Sequence, residues 1–590
     1  MRTNEIVFFN LHRRYLNHYS RFGGFLGIFN LAAFLNENGC LAQSFAGTLT
    51  EGKRLLDFIL QNGKASIIGL YCDYENVTEN IYISNYIKQR SGIPVIVGGP
   101  QVTALGEEFL KKSKCDVLVR YEGELTVLEL ASYFLDGSGD FERIAGIAYL
   151  KNHVFYINPE RPVIENLDML PLIDDSCYLE DHSWSNELSI MTGRGCPFHC
   201  AFCHEGHHTR KVRFRSVNNV LNEIELFLKS RIKARSLFVL FTDDTFTLIP
   251  ERVKKLCEGI QNLRQIKEFR WFCEAHVHML YTHPEMIDYM ARAGVHRLQV
   301  GIEAGTQEVL DAYRKGSTLS EISKVVEMCR DAGIPQVYSN IILGGALYNK
   351  EVFRKNVEFA KQMISLGKGC LEIGVVSYWP LPETSVTQHP DQYGIRITDY
   401  DFYTSLGDFP QTETEDIDRW ELLQMMKDME KEIQSHMMGM LLRREVSQER
   451  ILGWFPETDE LKSVGKWWEC LARCPQLLNY HQMVLLGEAY SEKEIEGYAG
   501  DRLTLRPMRT VPIYRYSRIQ TDGKLSIFTC NLEGIEREIL TFCTGKLNLN
   551  EIIEQMGRKF PNMSTEYLQE IVINSVEKFR RHFLVVYIKY

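Results

Sequence analysis

Short apolar runs alternate with amphipathic stretches along this chain, in two successive blocks. In residues 1–150 the runs predict strands at Glu5–Phe9, Ala65–Tyr71, Ile93–Pro100 and Asp116–Arg120. Between them the spacing predicts helices at Phe25–Asn36, Thr78–Arg90, Gly106–Lys112 and Thr126–Leu135, the first closed by Asn38-Gly39. Buried strands separated by helices make a doubly wound parallel sheet, an α/β fold that takes ligands at the loops after its strand ends.

The second block, residues 186–400, repeats the rhythm after a connector at 151–185. Strands are expected at Glu187–Thr192, Ser236–Phe246, Phe269–His276, His296–Gly305, Gln336–Gly345 and Cys370–Tyr378. Helices are expected between them, at Pro284–Ala293 and Leu319–Ala332 among others. In parallel barrels the polar residues at strand ends meet the ligand. Residues 401–511 read as mostly helical, as in Trp420–Arg443. The tail, 512–590, begins with a hairpin pattern, Pro512–Arg518 and Lys524–Cys530 across Thr521-Asp-Gly523. Helices at Gly534–Cys543, Leu549–Phe560 and Thr565–His582 follow, the last with Ser564 as N-cap.

Composition narrows the class. The 590 residues suggest several domains, and 45% hydrophobic content supports large cores. A net charge of −10 leaves no basic footprint for nucleic acid. The 15 cysteines are scattered and do not form a secreted disulfide framework. No apolar run reaches transmembrane length, and Met1-Arg-Thr-Asn-Glu5 lacks a signal-peptide profile. A reducing cytoplasm is the expected location.

The chemistry concentrates in Arg194-Gly-Cys-Pro-Phe-His-Cys-Ala-Phe-Cys-His204. Cys196, Cys200 and Cys203 are spaced C-x3-C-x2-C. Three thiolates can hold three irons of a 4Fe–4S cluster and leave the fourth iron open to a small molecule. Zinc also binds closely spaced cysteines, usually with a fourth Cys or His, a place His199 or His204 could fill. The strand that runs into this loop and the βα rhythm after it favour the cluster. The loop resembles that of the radical S-adenosylmethionine (SAM) superfamily, whose open iron chelates SAM and whose cluster cleaves it to a deoxyadenosyl radical.

The resemblance extends through the block. Thr242-Asp243-Asp244 stands where the family has an acidic or Gly-Gly-Glu segment. Gly301-Ile-Glu-Ala-Gly305 looks like its G-I-E-S-G sequence, with Ala304 in place of Ser. Glu303 and Gly305, with Gln307 just beyond, are then implied SAM contacts. Ile341-Ile342-Leu-Gly-Gly345 resembles the apolar segment that packs on adenine, and Pro380–Thr384 the proline-rich end of the sixth strand. Other polar residues have ordinary structural readings: His207 and His208 solvated, Cys273 a buried strand thiol, Cys470 and Cys474 neighbours on one helix. Glu274, His276 and His278 alternate along an expected strand and would share a face.

The first block resembles the cobalamin-binding domain that precedes many radical SAM domains. Gly98-Gly99-Pro-Gln101-Val-Thr103 is similar to its G-G-P-H-x-T segment, with Gln101 for His. Glu122-Gly-Glu124 is similar to its G-E-G-E segment, with Tyr121 for the first Gly, and Gly23–Gly27 stands at its first glycine loop. The D-x-H-x-x-G signature that supplies a histidine below cobalt elsewhere is absent, which implies cobalamin without one. The tail resembles the winged-helix, PqqD-like element with which ribosomal peptide maturation enzymes bind a leader peptide by strand addition. Together these resemblances imply a cobalamin-dependent radical SAM enzyme for RiPP maturation. The expected reaction is C-methylation of a precursor peptide at an unactivated carbon, with SAM as methyl donor and cobalamin as carrier. A flavodoxin or ferredoxin would serve as electron donor. The alternatives are a non-methylating radical modification (cross-link, epimerisation or ring formation) and a small-molecule natural product as substrate.

Overall fold

The computed structural model describes residues 5–12, 26–180, 186–205, 211–398, 409–461, 465–513, 517–519, 525–527 and 530–589. Gly23–Phe25, His207, His208 and the turn at Thr521–Gly523 lie outside them. The chain divides into two compact units, Met1–Lys431 and Glu432–Tyr590.

The first unit holds two sheets. β1 (Ile6–His12) is buried at every position, as a central strand covered on both faces must be. The helices and strands α1 (Leu26–Glu37), β2 (Ala42–Thr48), α2 (Leu49–Gln61), β3 (Ile67–Tyr71), α3 (Val77–Arg90), β4 (Val95–Gly98), α4 (Pro100–Leu105), α5 (Glu107–Lys112), β5 (Val117–Val119) and α6 (Glu124–Asp136) follow. β6 (Ile147–Lys151) and β7 (Val154–Ile157) complete a seven-stranded sheet in the order β2-β1-β3-β4-β5-β6-β7. Strands β1 to β5 are parallel, and β6 and β7 are antiparallel additions at one edge. Two apolar layers, one around Val7, Leu56 and Phe109 and one around Phe8, Leu35 and Leu130, cover the two faces.

The expected doubly wound sheet is present, with two differences. β2 and α2 fall in a stretch for which no element is expected. β2 reads Ala-Gln-Ser-Phe-Ala-Gly-Thr, small and polar for a strand, and is stable as an edge paired with β1. The boundary at 150/151 also cuts through the β6–β7 hairpin. Its turn residues, Asn152 and His153, both have positive φ (52° and 64°), the geometry of a tight two-residue hairpin turn.

The second sheet consists of β8 (Glu187–Ile190), β11 (Phe238–Phe241), β12 (Arg270–Ala275), β13 (Val295–Val300), β14 (Gln336–Leu343) and β15 (Leu371–Ser377), with a separate two-stranded ladder of β9 (Gly193–Arg194) and β10 (Arg213–Phe214) before β11. Its order is β15-β14-β13-β12-β11-β8, all parallel, the open arrangement of a partial (β/α) barrel. Helices α7 (Val217–Ser230), α8 (Pro250–Ile266), α9 (Val277–Thr282), α10 (Glu285–Arg292), α11 (Gln307–Ala312), α12 (Leu319–Asp331) and α13 (Lys350–Gly367) fill the connections. Along β12 and β14 burial alternates. Trp271 and Cys273, or Val337, Ser339 and Ile341, are fully buried, while Phe272 and Glu274, or Tyr338, Asn340 and Ile342, stay partly accessible on the other face.

In the second unit, one apolar core packs Ile495 and Leu505 with Ile539, Ile552, Val576 and Val585. The division expected at 511/512 therefore runs through that core. Strands Ser517–Ile519, Leu525–Ile527 and Cys530–Leu532 form an antiparallel sheet. Helices Gly534–Phe542, Leu549–Lys559 and Thr565–Arg581 follow at the expected places. The last strand, Val585–Ile588, pairs antiparallel with Arg506–Arg509. No helix among the described residues is long and apolar enough to cross a membrane.

Candidate functional site

The cysteine loop leaves β8 through β9 and is fastened at several points to the ends of barrel strands. Asp243, just after β11, accepts hydrogen bonds from the backbone of Thr192 (2.6 Å) and Gly193 (2.7 Å) and from the Thr192 hydroxyl (2.6 Å). Its carboxylate thus holds the loop's entry; hydrogen bonds to a carboxylate are the strong ones. Within the loop, Ala201 N–H donates to Tyr313 O (2.8 Å), and Val386 N–H to Ala201 O (3.1 Å). Phe198 stacks on His276 at 3.8 Å between ring centroids, and Phe202 meets Tyr313 edge-on at 4.8 Å. Cys200 is buried, while Cys196 and Cys203 are partly accessible. Cys196 Sγ lies 3.7 Å from Thr245 Oγ1.

A lysine for which no sequence signal was singled out stands beside these thiols. Lys315 donates to Glu303 Oε1 at 2.8 Å; Lys315 is buried and Glu303 mostly so. Burial opposes the charge on Lys315, but Glu303 and the thiols of Cys200 and Cys203 outweigh it and hold the ammonium well above its usual range. An added Cβ at Gly301 would overlap both Glu303 Oε1 and Lys315 Nζ, so a larger residue there would displace the pair. Glu303 itself has φ of 61°, and its backbone is caught by β14: its N–H donates to Asn340 O (3.0 Å), and Ile342 N–H donates to its O (2.8 Å).

The remaining expected SAM contacts separate. Asp244 lines the large cavity described below, and burial, with Glu205 and Asp243 nearby, pushes its carboxyl up to about 7. Ile342 is half-buried on the accessible face of β14. Gly305 is set by packing: a Cβ would come within 2.7 Å of Phe359 Cβ and 3.0 Å of Asn356 Cα on α13. Gln307 is occupied locally, donating to Asp311 (2.8 Å) and Ser317 O (3.3 Å) and accepting from Leu319 N–H (3.1 Å). The shared strand face of Glu274, His276 and His278 does not form, because β12 ends at Ala275. Glu274 stays on the strand, pushed up to about 7 by burial and by Asp244. His276 caps α9 and bonds Lys315 O (3.0 Å), and His278 pairs with Glu321 (2.8 Å).

A cavity of about 410 Å³ opens where the C-terminal edge of the first sheet faces the cysteine loop. Gly98, Gly99, Thr103 and Glu124 line it from one side, and Gly193, Gly195, Thr242 and Asp244 from the other. Gly99 has φ of 114°, and a Cβ there would overlap the Cys72 carbonyl, so only glycine lets β4 turn into α4 under the cavity floor. Tyr121 has φ of 61°, the conformation a glycine adopts freely, at the position where the related segment has glycine. Gln101 is buried and is not among the lining residues, and none of the described lining residues is a histidine. Glu124 is 4% exposed; its Oε1 accepts from Arg194 Nη2 at 2.5 Å, and its Oε2 has no hydrogen-bond partner among the described residues. Arg213 donates to both oxygens of Glu122 and to Ile164 O (2.6 Å). Burial opposes ionisation of Glu122, but Arg213 and Arg194 hold its carboxyl below the usual range.

These arrangements fit the expected groups by their donor chemistry. Three thiols on one fastened loop, with a buried cation opposite, suit a cluster whose irons take one thiolate each. Among the described residues no three His, Cys, Asp or Glu converge as a mononuclear metal site needs. A glycine-floored cavity with an unpaired buried acceptor suits a flat ligand edged with amide donors.

The comparisons with known proteins agree. Residues 190–360 match the Radical SAM superfamily and residues 22–131 the B12 binding domain. A stretch similar to the B12 binding domain thus precedes one similar to the radical SAM superfamily, and the two matches imply a 4Fe–4S cluster, SAM and cobalamin as cofactors. An uncharacterized methyltransferase, PH0819, of Pyrococcus horikoshii is 28% identical over 295 residues, which is 49% of this chain and 60% of that protein. The anaerobic magnesium-protoporphyrin IX monomethyl ester cyclase of Cereibacter sphaeroides is 24% identical over 40% of each chain. The chain thus spans 60% or less of these curated relatives' length. In fold, it is similar to TsrM from Kitasatospora setae with cobalamin and [4Fe–4S] cluster bound (TM-score 0.53, 18% identity, 68% of this chain and 78% of that one). It is also similar to OxsB with aqua-cobalamin and SAM bound (TM-score 0.57, 14% identity, 98% of this chain and 84% of that one).

When bound, the cluster would supply the electron that cleaves SAM, and cobalamin a cobalt centre for group transfer. The chain's own part would be placement: Cys196, Cys200 and Cys203 would hold the iron, with Lys315 and Glu303 setting the charge beside it, while Gly98, Gly99, Thr103 and Glu124 line the cavity.

Proposed function

We propose that this protein is a radical C-methyltransferase that acts at an unactivated carbon of a ribosomally made peptide. One observation carries the methylation: a single cavity is lined both by the glycine floor at Gly98-Gly99 and by the residues flanking the cysteine loop, Gly193, Gly195 and Asp244. A methyl carrier seated there adjoins the site where the substrate radical is made. The test is anaerobic turnover with methyl-labelled SAM, hydroxocobalamin and a reductant. Methylation releases S-adenosylhomocysteine and deoxyadenosine together; release of deoxyadenosine alone means a non-methylating reaction. A reduced flavodoxin or ferredoxin is the proposed donor, and the cytoplasm the proposed location.

The peptide substrate is supported by the second unit, where a three-stranded antiparallel sheet precedes three helices, an arrangement suited to strand addition by a leader. Residues Glu432–Tyr590 then act as one recognition unit, since Ile495 and Leu505 share its core. A short precursor peptide encoded beside the gene is the substrate to try, with and without its leader. A leaderless peptide should show KM raised at least about tenfold at similar kcat, through lost effective concentration. Equal KM for both forms would favour a small-molecule substrate. That second reading has its own support, because the Cereibacter sphaeroides relative is named for a small-molecule substrate, magnesium-protoporphyrin IX monomethyl ester.

A further inference from the structure

Two arginines stand opposite each other on the β9–β10 ladder, where Arg194 pairs with Arg213. Both face carboxylates at the start of α6. Arg194 binds Glu124 Oε1 (2.5 Å) and lies 3.5 Å from Glu122, while Arg213 forks onto Glu122. Arg194 also donates to Met191 Sδ at 3.4 Å, just after β8. The four side chains balance, two positive and two negative, and none is more than 20% exposed. Such a buried set holds only while every member stays, because removing one leaves a charge without compensation.

The set has two ends. At one, Glu124 lines the cavity, and its buried Oε2 has no hydrogen-bond partner among the described residues. An unsatisfied buried carboxylate oxygen is costly, so a shift of Glu124 toward a donor on a ligand seated in the cavity would relieve it. At the other end, Arg194 is joined through Gly195, whose φ is 92°, to Cys196. A change in charge or position at Glu124 therefore reaches the first cluster thiol through one ion pair and one glycine.

We propose that Arg194 is a positioning residue that couples the two cofactor sites, so that a corrinoid bound beside Glu124 alters the environment of the cluster held by Cys196. The proposal rests on the cofactor assignment above. Its test uses the full chain, reconstituted with isotopically enriched iron and sulfide, with and without saturating hydroxocobalamin. Mössbauer spectra report the iron alone, and the visible spectrum reports the corrinoid. Iron content and corrinoid retention in the unaltered protein test the assignment, and their failure is thereby distinguishable from failure of the coupling. The expected result is a change in the spectrum of the reduced cluster on adding hydroxocobalamin. Arg194→Gln and Glu124→Gln should keep iron content within about twofold and abolish that change, and Arg194→Lys should restore part of it. Loss of a supporting contact of this kind costs metal sites about 10–100-fold in affinity or activity, and deoxyadenosine formation should fall in that range. An unaltered protein whose cluster spectrum ignores the corrinoid would overturn the proposal. So would a spectral change that survives in Arg194→Gln. Loss of iron from both glutamine variants would also overturn it, because the four side chains would then be only a clamp on the loop.

Discussion

Lys315 and Glu303 form an ion pair of 2.8 Å beside the loop that carries the cluster cysteines, and Gly301 is the residue whose missing side chain makes room for it. Removal of one partner should be worse than removal of both. Lys315→Met leaves the Glu303 carboxylate buried and unpaired, at about 3–5 kcal/mol of stability. The double variant Lys315→Met, Glu303→Gln should recover most of that loss in urea denaturation. Neither should regain SAM cleavage, because the charge beside the thiols stays altered. A single variant as stable as the unaltered chain would show that the pair does not matter to the fold.

Cys196, Cys200 and Cys203 should each be needed for the cluster. Replacing all three with Ala should remove reconstituted iron and all deoxyadenosine formation while the corrinoid is still retained, since its cavity walls remain. Iron content equal to that of the unaltered protein would refute the assignment.

Gly99→Ala should weaken corrinoid binding by about tenfold or more, because the new Cβ meets the Cys72 carbonyl and the backbone has φ of 114°. Gly98→Ala is the control. Its Cβ would sit 3.6 Å from Val119, ordinary contact, and the backbone is not left-handed. Visible-spectrum titration with hydroxocobalamin reads both. Equal affinities would mean that the turn at Gly99 does not shape the cavity.

What was legible in the sequence follows from how local each signal is. The cysteine loop and the strands around it are written in adjacent residues, so their periods and spacing survive without any knowledge of the fold. Gly99 was legible for the same reason: a glycine pair at the end of a β run announces a tight turn. Lys315 and Arg194 were not, because a lone cation gives no sign of its partner, and Glu303 and Glu124 are brought to them only by tertiary packing. Asp243 shows the same dependence on packing. An acidic residue at a strand end reads as a ligand contact, but its three hydrogen bonds go to Thr192 and Gly193, across a gap of about fifty residues in sequence. Glu274, His276 and His278 show the limit of period-two reasoning, since a helix begins at Val277, two residues after Ala275, and rotates the later side chains away.

Glu187 opens β8, and burial alone pushes its carboxyl up from 4.5 to about 8. The sign of the linkage follows from that direction. In the unfolded chain the carboxyl ionises near its ordinary value, and in the folded chain it holds its proton longer. The folded state therefore binds more protons between the two values, and stability falls as pH rises through that window. The contribution is fully present below about pH 4.5 and lost by about pH 8. Glu187→Gln keeps the shape and removes the titration. Its melting temperature should match that of the unaltered protein near pH 5 and exceed it near pH 8.5, measured on the cofactor-free chain so that cluster loss does not interfere. Parallel melting curves across that range would show that Glu187 is ionised in the folded protein at neutral pH, with burial outweighed by its neighbours.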